Sequence, residues 1–472
     1  MDRALCEAMI RPSPLWLLLW AALPMAARAG PAPDLAADPL LASLVEEALL
    51  RRPEVLQARA AARAERERIP QAGALPDPML SLGIQNDGFR AIEVGKMESS
   101  YYQAMVTQPL FWPGKRGLRT EVAERQAGLV EAQLARAELG AEADVRRAYL
   151  DLLLVRDQLA LLARQEALWE QSEGLARARY QVGAGPQSDL LRAQLERTRL
   201  SQQRLGLEAQ ERTRLQSLNR LRGHPLDEPI ATGWHLADLP DPVLPAAGEA
   251  LADAEVRSPE LRQARLSVQQ AQKRVELAGR ERYPDLAVGA GVMYRGALDP
   301  MWTLSVSVGL PLWSGRKQGR AVAEGEARRE AEEGGAEAVR QVVRLRTEER
   351  LALLDGLLRT NQLYRGGLLV QSEAAAESTM GQYRVGRVTF ASVLEALNGL
   401  VADRASFLDS IAQAHRLAIA QWELSLDAPA GGAAPMSAGP VPGAKAMGGS
   451  PARAGGAGGG EMAAPAASSG GM

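Results

Sequence analysis

The sequence predicts a mainly α-helical fold with membrane β-strands. It is an internally duplicated chain in which each copy has a strand hairpin followed by a long helical hairpin, and its four strands must join those of other copies to close a barrel. Three observations predict this fold. The same order of features occurs twice, which indicates an internal repeat. Each copy contains two short segments in which apolar residues alternate with small or polar ones, and a long stretch with few prolines follows them.

The first 29 residues have the pattern of a secretion signal. Arg3 and Arg11 precede an apolar run over 15–25, and Ala27-Arg28-Ala29 matches a signal-peptidase site. We expect cleavage after residue 29; a disordered or buried N-terminal helix is the alternative. Cys6, the single cysteine, would leave with the signal, so the mature chain would have no thiol for a disulfide or an N-terminal lipid anchor.

Four pairs of landmarks define the duplication. They are Pro53-Glu54 and Pro259-Glu260, Pro76-Asp77 and Pro284-Asp285, segments 109–115 and 311–316, and segments 180–183 and 383–386. They predict a first repeat over 30–226, a linker rich in Pro and Asp over 227–250, and a second repeat over 251–427. Residues 428–472 are rich in Gly, Ala, Pro and Ser, which predicts disorder. We interpret the scattered methionines of this tail as incidental.

Each repeat contains a predicted β-hairpin, over 78–112 and over 285–313. The alternation is clearest over 286–294 and 302–310. A half-buried soluble sheet would alternate in the same way, but the aromatic residues favour membrane strands. They lie at the loop ends and, about ten residues away, at the far ends, as in the interface belts of membrane strands. The membrane-interface aromatics are Tyr102, Trp112, Tyr294, Trp302 and Trp313.

Four strands are too few to close a barrel. An open sheet edge cannot face lipid, because its backbone groups would remain unpaired. Oligomerisation is therefore expected. Three copies would supply twelve strands, although the residues alone do not fix that number.

Long helical hairpins are predicted after the strands, over 115–224 and 315–426. Apolar residues recur at spacings of three and four from Val145 to Leu162, as expected for a packed helix face. A helix over 115–182 would be roughly 100 Å long. Gly183 and Gly386 mark the predicted turns of the two hairpins. The junctions between barrel and helices are placed at Pro109, Pro113, Gly114, Pro311 and Gly315.

No pattern for catalysis or for a cofactor is present. The three histidines, His224, His235 and His415, are scattered, and no zinc-protease, Cys-x-x-Cys or P-loop pattern occurs. The formal net charge of -2 provides no basic field for nucleic acid. We therefore predict a protein that is not an enzyme, with no cofactor, no metal site and no nucleic-acid partner.

The duplicated order resembles the TolC-like outer-membrane efflux family over about residues 39–427. Two motifs, Leu75-Pro76-Asp77-Pro78 and the segment 108–116 (QPLFWPGKR), resemble its heavy-metal cation efflux (CzcC-like) branch in particular. The resemblance implies a homotrimer with one twelve-stranded barrel in outer-membrane lipid and a periplasmic helical tunnel. It also implies a periplasmic adaptor of the membrane-fusion type and an inner-membrane resistance-nodulation-division pump. The chain would then be a passive conduit, with heavy-metal cations as the expected solute.

The resemblance also implies a gate at the periplasmic tip of the tunnel. Asp189 and Tyr383 match an Asp and a Tyr of the family's closing contacts, whereas Val388 occupies the matching Arg position, with Arg387 beside it. Glu395 matches one acidic position of a selectivity ring, and Ser392 replaces the other. Asp189 could instead cap the second helix of its hairpin. Glu395 could be an ordinary surface carboxylate.

Two other functions remain open at this stage. The same duct could serve drug efflux or type I protein secretion, because the pump partner decides the solute. A soluble periplasmic coiled-coil scaffold, with its strands buried in an ordinary sheet, is the alternative from a different class of protein.

Overall fold

The computed structural model describes residues 38–428. The predicted signal and all but the first residue of the predicted tail lie outside these residues. The helices are α1 (Pro39–Arg51), α2 (Pro53–Gly73), α3 (Lys115–Gln181), α4 (Gln187–Leu221), α5 (Ala247–Arg257), α6 (Pro259–Arg280), α7 (Gln318–Leu363), α8 (Leu369–Arg384) and α9 (Phe390–Glu423). The strands are β1 (Met79–Gln85), β2 (Tyr101–Leu110), β3 (Leu286–Arg295) and β4 (Leu298–Val308).

Each repeat opens with two short helices that a proline separates. Pro53 starts α2 and Pro259 starts α6, where a missing N–H costs no hydrogen bond. Side chains cap α1 and α6: Asp38 accepts from the backbone N–H of Leu40 at 2.9 Å, and Ser258 from that of Leu261 at 3.2 Å. The landmark prolines Pro53 and Pro259 are therefore helix starts, whereas Pro76 and Pro284 lie just before β1 and β3.

The four strands form one antiparallel sheet in the order β1-β2-β3-β4. The central pair, β2 with β3, joins the two repeats over nine Cα partners, from Tyr102 with Tyr294 to Leu110 with Leu286. β4 begins at Leu298, four residues before Trp302. The connection to β3 is therefore tighter than the sequence suggests, because Gly296 adopts a φ of 63°, which a two-residue hairpin turn requires.

The two faces of the sheet differ in chemistry. One face, called the apolar face, exposes large side chains: Leu80, Leu82, Ile84, Val292, Trp302, Leu304 and Val306. The register places Ser, Gly, Gln, Thr and Met residues on the other face, called the polar face. An apolar side toward lipid and a polar side toward the lumen is the pattern of outer-membrane barrels.

Helix α3 runs unbroken for 67 residues, which corresponds to roughly 100 Å. The second repeat lacks so long a helix, because a π-helical turn at Tyr364–Leu368 separates α7 from α8. This turn is a difference from the uniform hairpin expected there. Tyr364 packs against Phe407 with ring centroids 5.6 Å apart, and Arg365 pairs with Asp241 of the inter-repeat linker at 2.5 Å. The π turn thus carries the residue that attaches the inter-repeat linker to the helices.

The main core lies where α1 and α9 pack on the middle of α3. The apolar stripe that the sequence predicts is buried there, with Val145, Tyr149 and Leu152 fully buried against residues of α1 and α9. A second core cluster lies nearer the hairpin turns and includes Trp169 and Phe390. Between residues 38 and 428, the helices include none that combines the length and apolar character needed to cross a bilayer.

Candidate functional site at the helical tip

The two hairpin turns share one backbone design. Gly183 and Gly386 have φ values of 73° and 78°, in the left-handed region that glycine adopts without strain. In the first turn Ala184 N–H donates to the carbonyl of Arg179 at 2.8 Å, and in the second Arg387 N–H donates to that of Gln382 at 2.9 Å. This is the Schellman arrangement that ends a helix at glycine. The turns α3–α4 and α8–α9 are therefore equivalent in backbone but not in side chains.

Tyr383 and Asp189 meet between the two hairpins. The Tyr383 hydroxyl donates to Oδ2 of Asp189 at 3.2 Å, and its ring is 2 % exposed and lies 5.4 Å from that of Phe390. Burial raises the pKa of Tyr383 to about 12, the Asp189 carboxylate adds to the rise, and Arg179 opposes it. The hydroxyl therefore stays protonated as a donor throughout the physiological range.

Asp189 lies in the first turn of α4, yet its side chain makes no capping bond there. The N-cap position is Pro186, and no side chain accepts a hydrogen bond from the first N–H groups of this helix. The carboxylate instead faces the other repeat through Tyr383. Because Asp189 is in the first turn of α4, its negative charge also interacts favourably with the positive end of the helix dipole.

Arg179 is the cation beside Tyr383. Its guanidinium lies 4.7 Å from the Tyr383 ring centroid, donates to the carbonyl of Tyr383, and donates to the carbonyl of Ala184 at 3.0 Å. It therefore ties both turns together. We name Arg179, Asp189 and Tyr383 the tip clasp.

The sequence did not predict a role for Arg179, because the family resemblance places the arginine of the closing contacts in the second repeat, beside Arg387. The Arg387 side chain is exposed and takes part in none of the ion pairs found within residues 38–428. Glu395, on α9, is likewise exposed and outside those ion pairs. The available signal was the asymmetry of the repeat itself, since Arg179 precedes Tyr180 whereas Gln382 precedes Tyr383.

The junction between sheet and helices is a second polar cluster. Lys115, at the start of α3, is 3 % exposed, and its Nζ donates to Oδ1 of Asp285 at 2.9 Å and to the Tyr283 carbonyl at 2.8 Å. The same carboxylate oxygen accepts from the backbone N–H of Trp112 at 2.9 Å. The cluster thus fastens the long helix α3 of the first repeat to the start of β3 in the second repeat.

The predicted junction residues lie around this cluster. Pro109 is in β2 opposite Ala287, Pro113 lies between β2 and α3, and Gly114 is the N-cap of α3 with a φ of 91°. Pro311 and Gly315 lie in the turns between β4 and α7, which begins at Gln318. A 310 Å³ cavity beside the cluster is lined in part by Pro311, Trp313 and Lys317.

The predicted interface aromatics occupy three settings. Tyr102 and Tyr294 are Cα partners at the loop end of the sheet, and Trp302 is opposite Val292, deeper in the sheet. At the helix end Trp112 stacks on Tyr283 with centroids 5.6 Å apart, whereas Trp313 is 72 % exposed. No group of three or more His, Cys, Asp or Glu side chains suited to a metal ion occurs in the part of the chain that the structure describes.

An apolar membrane sheet, continued by long helical hairpins that meet in a polar clasp, defines a class of protein: a conduit built from several copies. Comparison with known families places the chain within this class. The model of the family described as outer membrane efflux protein matches residues 44–224 and 250–425, and the chain belongs to this family.

Known proteins agree with this assignment. The chain is 27 % identical over 319 residues to the nickel and cobalt resistance protein CnrC of Cupriavidus metallidurans, covering 67 % of this chain and 71 % of CnrC. The CusC structure has a TM-score of 0.71 at 16 % identity, covering 82 % of this chain and 92 % of that one. VceC of Vibrio cholerae has a TM-score of 0.67 at 18 % identity, covering 81 % and 95 %. Both structures share the fold.

The predicted fold class and general function are therefore confirmed. The chain is the outer-membrane channel component of a tripartite efflux system, a conduit and not an enzyme, with its helical part in the periplasm. The chain has the fold of trimeric outer-membrane channels, in which the strands form the barrel and the helices continue it. The soluble scaffold considered from the sequence is wrong, because membership of this family places the strands in the outer membrane.

Proposed function

We propose that this channel exports heavy-metal cations, in a complex with a periplasmic adaptor of the membrane-fusion type and an inner-membrane pump of the resistance-nodulation-division type. The observation that supports the solute is the likeness to CnrC, which is named for nickel and cobalt resistance. The conduit itself is passive. Energy comes from the pump, and this chain supplies a path across the outer membrane.

A growth experiment tests the solute class. Deleting the gene should lower the tolerance of the cell to Ni²⁺ and Co²⁺, and a plasmid copy should restore it. Unchanged metal tolerance together with new sensitivity to organic drugs, or with loss of a secreted protein, would replace this proposal with drug efflux or type I secretion.

The tip clasp serves as the gate in this proposal. The Tyr383–Asp189 hydrogen bond and the two carbonyl contacts of Arg179 join the α3–α4 hairpin to the α8–α9 hairpin. Widening the tunnel at its tip requires the hairpins to separate, so these contacts hold the closed state. Arg387, next to the clasp and exposed, is available for contacts with a neighbouring protomer or the adaptor.

Glu395 provides cation preference in this proposal. It lies on α9 five residues past Phe390, its side chain is exposed, and three copies in a narrow trimeric tip would form a carboxylate ring. Rings of carboxylates favour cations in channels. The expectation is that Glu395→Gln lowers the preference for K⁺ over Cl⁻ in planar bilayers.

Glu330→Gln is the matched control for this measurement. Glu330 is also exposed and changes the net charge equally, but it lies on α7, far from the tip turns. The reversal potential in a salt gradient should shift for Glu395→Gln alone. Equal reversal potentials for the two variants would remove Glu395 from the selectivity filter.

A further inference from the structure

Methionines are concentrated on one face of the membrane sheet. Residues 38–428 contain six methionines, and four of them, Met79, Met105, Met293 and Met301, occupy polar-face positions of the strands. Of the other two, Met97 lies in the loop between β1 and β2, and Met380 lies in α8 near the tip. Methionine usually fills irregular gaps in apolar cores, so its presence on a lumen-facing surface needs a reason.

Two of these methionines are directly opposite each other on neighbouring strands. Met293 on β3 and Met301 on β4 are Cα partners, which places their Cβ atoms about 4.5–5.5 Å apart on the same face. Both side chains are unbranched and flexible, so two sulfurs can converge on one ion between them. Met301 is 40 % exposed, which leaves this position open to the lumen.

The neighbours of the pair provide no competing soft ligand. Gln103 is the Cα partner of Met293 on β2, and its Nε2 lies 3.7 Å from Sδ of Met105, within donor distance of that sulfur. The strands contain one carboxylate, Asp299 beside the β3–β4 turn, and no histidine or cysteine. Thioether sulfur is therefore the one soft metal ligand that the strands present on the polar face.

The pair lies toward the outer end of the duct. All helices connect to the sheet at the ends near Met79, Leu110, Leu286 and Val308, so the loop 86–100 and the turn at Gly296 lie at the opposite end. Met293 is three residues from that turn. An ion that passes the barrel meets these sulfurs shortly before it leaves.

We propose that Met293 and Met301 form a soft-metal site in the barrel lumen, which takes monovalent Cu⁺ or Ag⁺. Thioethers select such soft ions over Ni²⁺ and Co²⁺, which prefer nitrogen and oxygen ligands. Two sulfurs from flexible side chains bind without enclosing the ion, and conduction requires that a bound ion can leave. This inference rests on the proposed export of heavy-metal cations and adds soft monovalent cations to the Ni²⁺ and Co²⁺ considered there.

Silver binding to the purified full-length trimer tests the site. Titration with silver nitrate in chloride-free buffer should show one Ag⁺ per chain more for the natural sequence than for the Met293→Leu/Met301→Leu variant, which keeps the side-chain volume but removes both sulfurs. Each single Leu variant should weaken this binding. Methionines outside the sheet contribute equally to all variants and cancel. Met380→Leu is the matched control: Met380 has no second methionine beside it within residues 38–428, so this variant should keep the additional Ag⁺ that the double variant loses.

Single-channel recording supplies the second measurement. Ag⁺ added to nitrate electrolyte should cause voltage-dependent interruptions of the current in the natural channel and not in the double variant, with Ni²⁺ without effect in either. Equal silver binding and equal interruptions in the natural channel and the double variant would overturn the lumen site. If both proteins also show the same conductance without Ag⁺, that result leaves the conduit function unaffected. Unchanged metal tolerance of the deletion strain would instead contradict the proposed export of heavy-metal cations.

Discussion

A single hydroxyl group links the two repeats at the tip. The Tyr383 ring is held by Phe390 and Arg179 whether or not its oxygen is present, so the oxygen can be tested without disturbing the packing. Its counterpart in the first repeat, Tyr180, is 44 % exposed. At equivalent backbone positions of the two repeats, Tyr383 is therefore buried and bonded to Asp189, whereas Tyr180 is exposed.

Tyr383→Phe should raise the conductance of the reconstituted channel. The change removes the bond to Asp189, worth about 1 kcal/mol, which corresponds to roughly a fivefold increase in the open population. Planar bilayer recording measures the effect, and Tyr180→Phe serves as the control with the same chemical change. Identical conductance in the two variants would contradict a role for the hydroxyl in closure.

His235 predicts a pH-dependent anchor for the linker. Its Nδ1 lies 2.6 Å from Oδ1 of buried Asp157 on α3, whose other oxygen accepts from the Leu236 N–H at 2.5 Å. The hydrogen bond to Asp157 raises the pKa of His235, the charges of Asp157 and Asp238 add to the rise, and Arg164 opposes it. Because the folded-state pKa is raised, this stabilisation is complete below the ordinary histidine pKa and is lost as pH rises through the raised value.

His235→Ala should remove that pH dependence. The midpoint of thermal loss of helical circular dichroism should differ between the natural protein and the variant at pH 5.5, and the difference should shrink by pH 8.5. Leu236 N–H keeps its bond to Asp157 in the variant, so the linker remains attached. A constant difference across this range would show that the imidazolium contributes nothing.

At the scale of elements, the start of α3 is fastened to the start of β3. Lys115 is buried while Asp285 is 45 % exposed in its side chain, so solvent weakens the ion pair but not the contact with the Tyr283 carbonyl. Lys115→Met keeps the length of the side chain and removes the donor. It should destabilise the trimer by about 1–3 kcal/mol.

The temperature at which the trimer dissociates on a denaturing gel measures this loss. Lys115→Gln, which keeps one donor group, should fall between the natural protein and Lys115→Met. Lys273→Met is the control, because Lys273 forms comparable ion pairs to Glu121 and Glu276 without being buried. Equal dissociation temperatures for the two Met variants would show that the junction does not depend on Lys115.

The elements were largely predictable and the contacts between them were not. Period-two alternation and proline placement predict the strands and helix starts, because both depend on residues close in sequence. The start of β4 at Leu298 depends on a glycine turn, and the π turn at Tyr364–Leu368 on packing against Phe407. Lys115 with Asp285 and Arg179 with Tyr383 pair residues far apart in sequence, which local patterns do not encode.

At the scale of the whole molecule, the sheet has two edges that other copies must cover. β1 and β4 are the outer strands of the four-stranded sheet, and closure of a trimeric barrel requires β4 of one protomer to pair with β1 of the next. Within one chain these strands are separated by three strand spacings, about 14 Å. A disulfide, which needs Cβ atoms about 4 Å apart, cannot bridge them inside a protomer.

Cysteines placed on the two edges should therefore cross-link only between protomers. Ser81 on β1 and Thr303, Ser305 and Ser307 on β4 all lie on the polar face, and the natural sequence has no cysteine beyond residue 6. Ser81→Cys combined in turn with a cysteine at each β4 position should give, for at least one pair, covalent trimers on a boiled non-reducing gel. Reductant should return them to monomers, and Ser81→Cys alone should give none. Monomers throughout the series would mean that β1 and β4 do not close the barrel, because the three β4 positions sample successive registers of the same face.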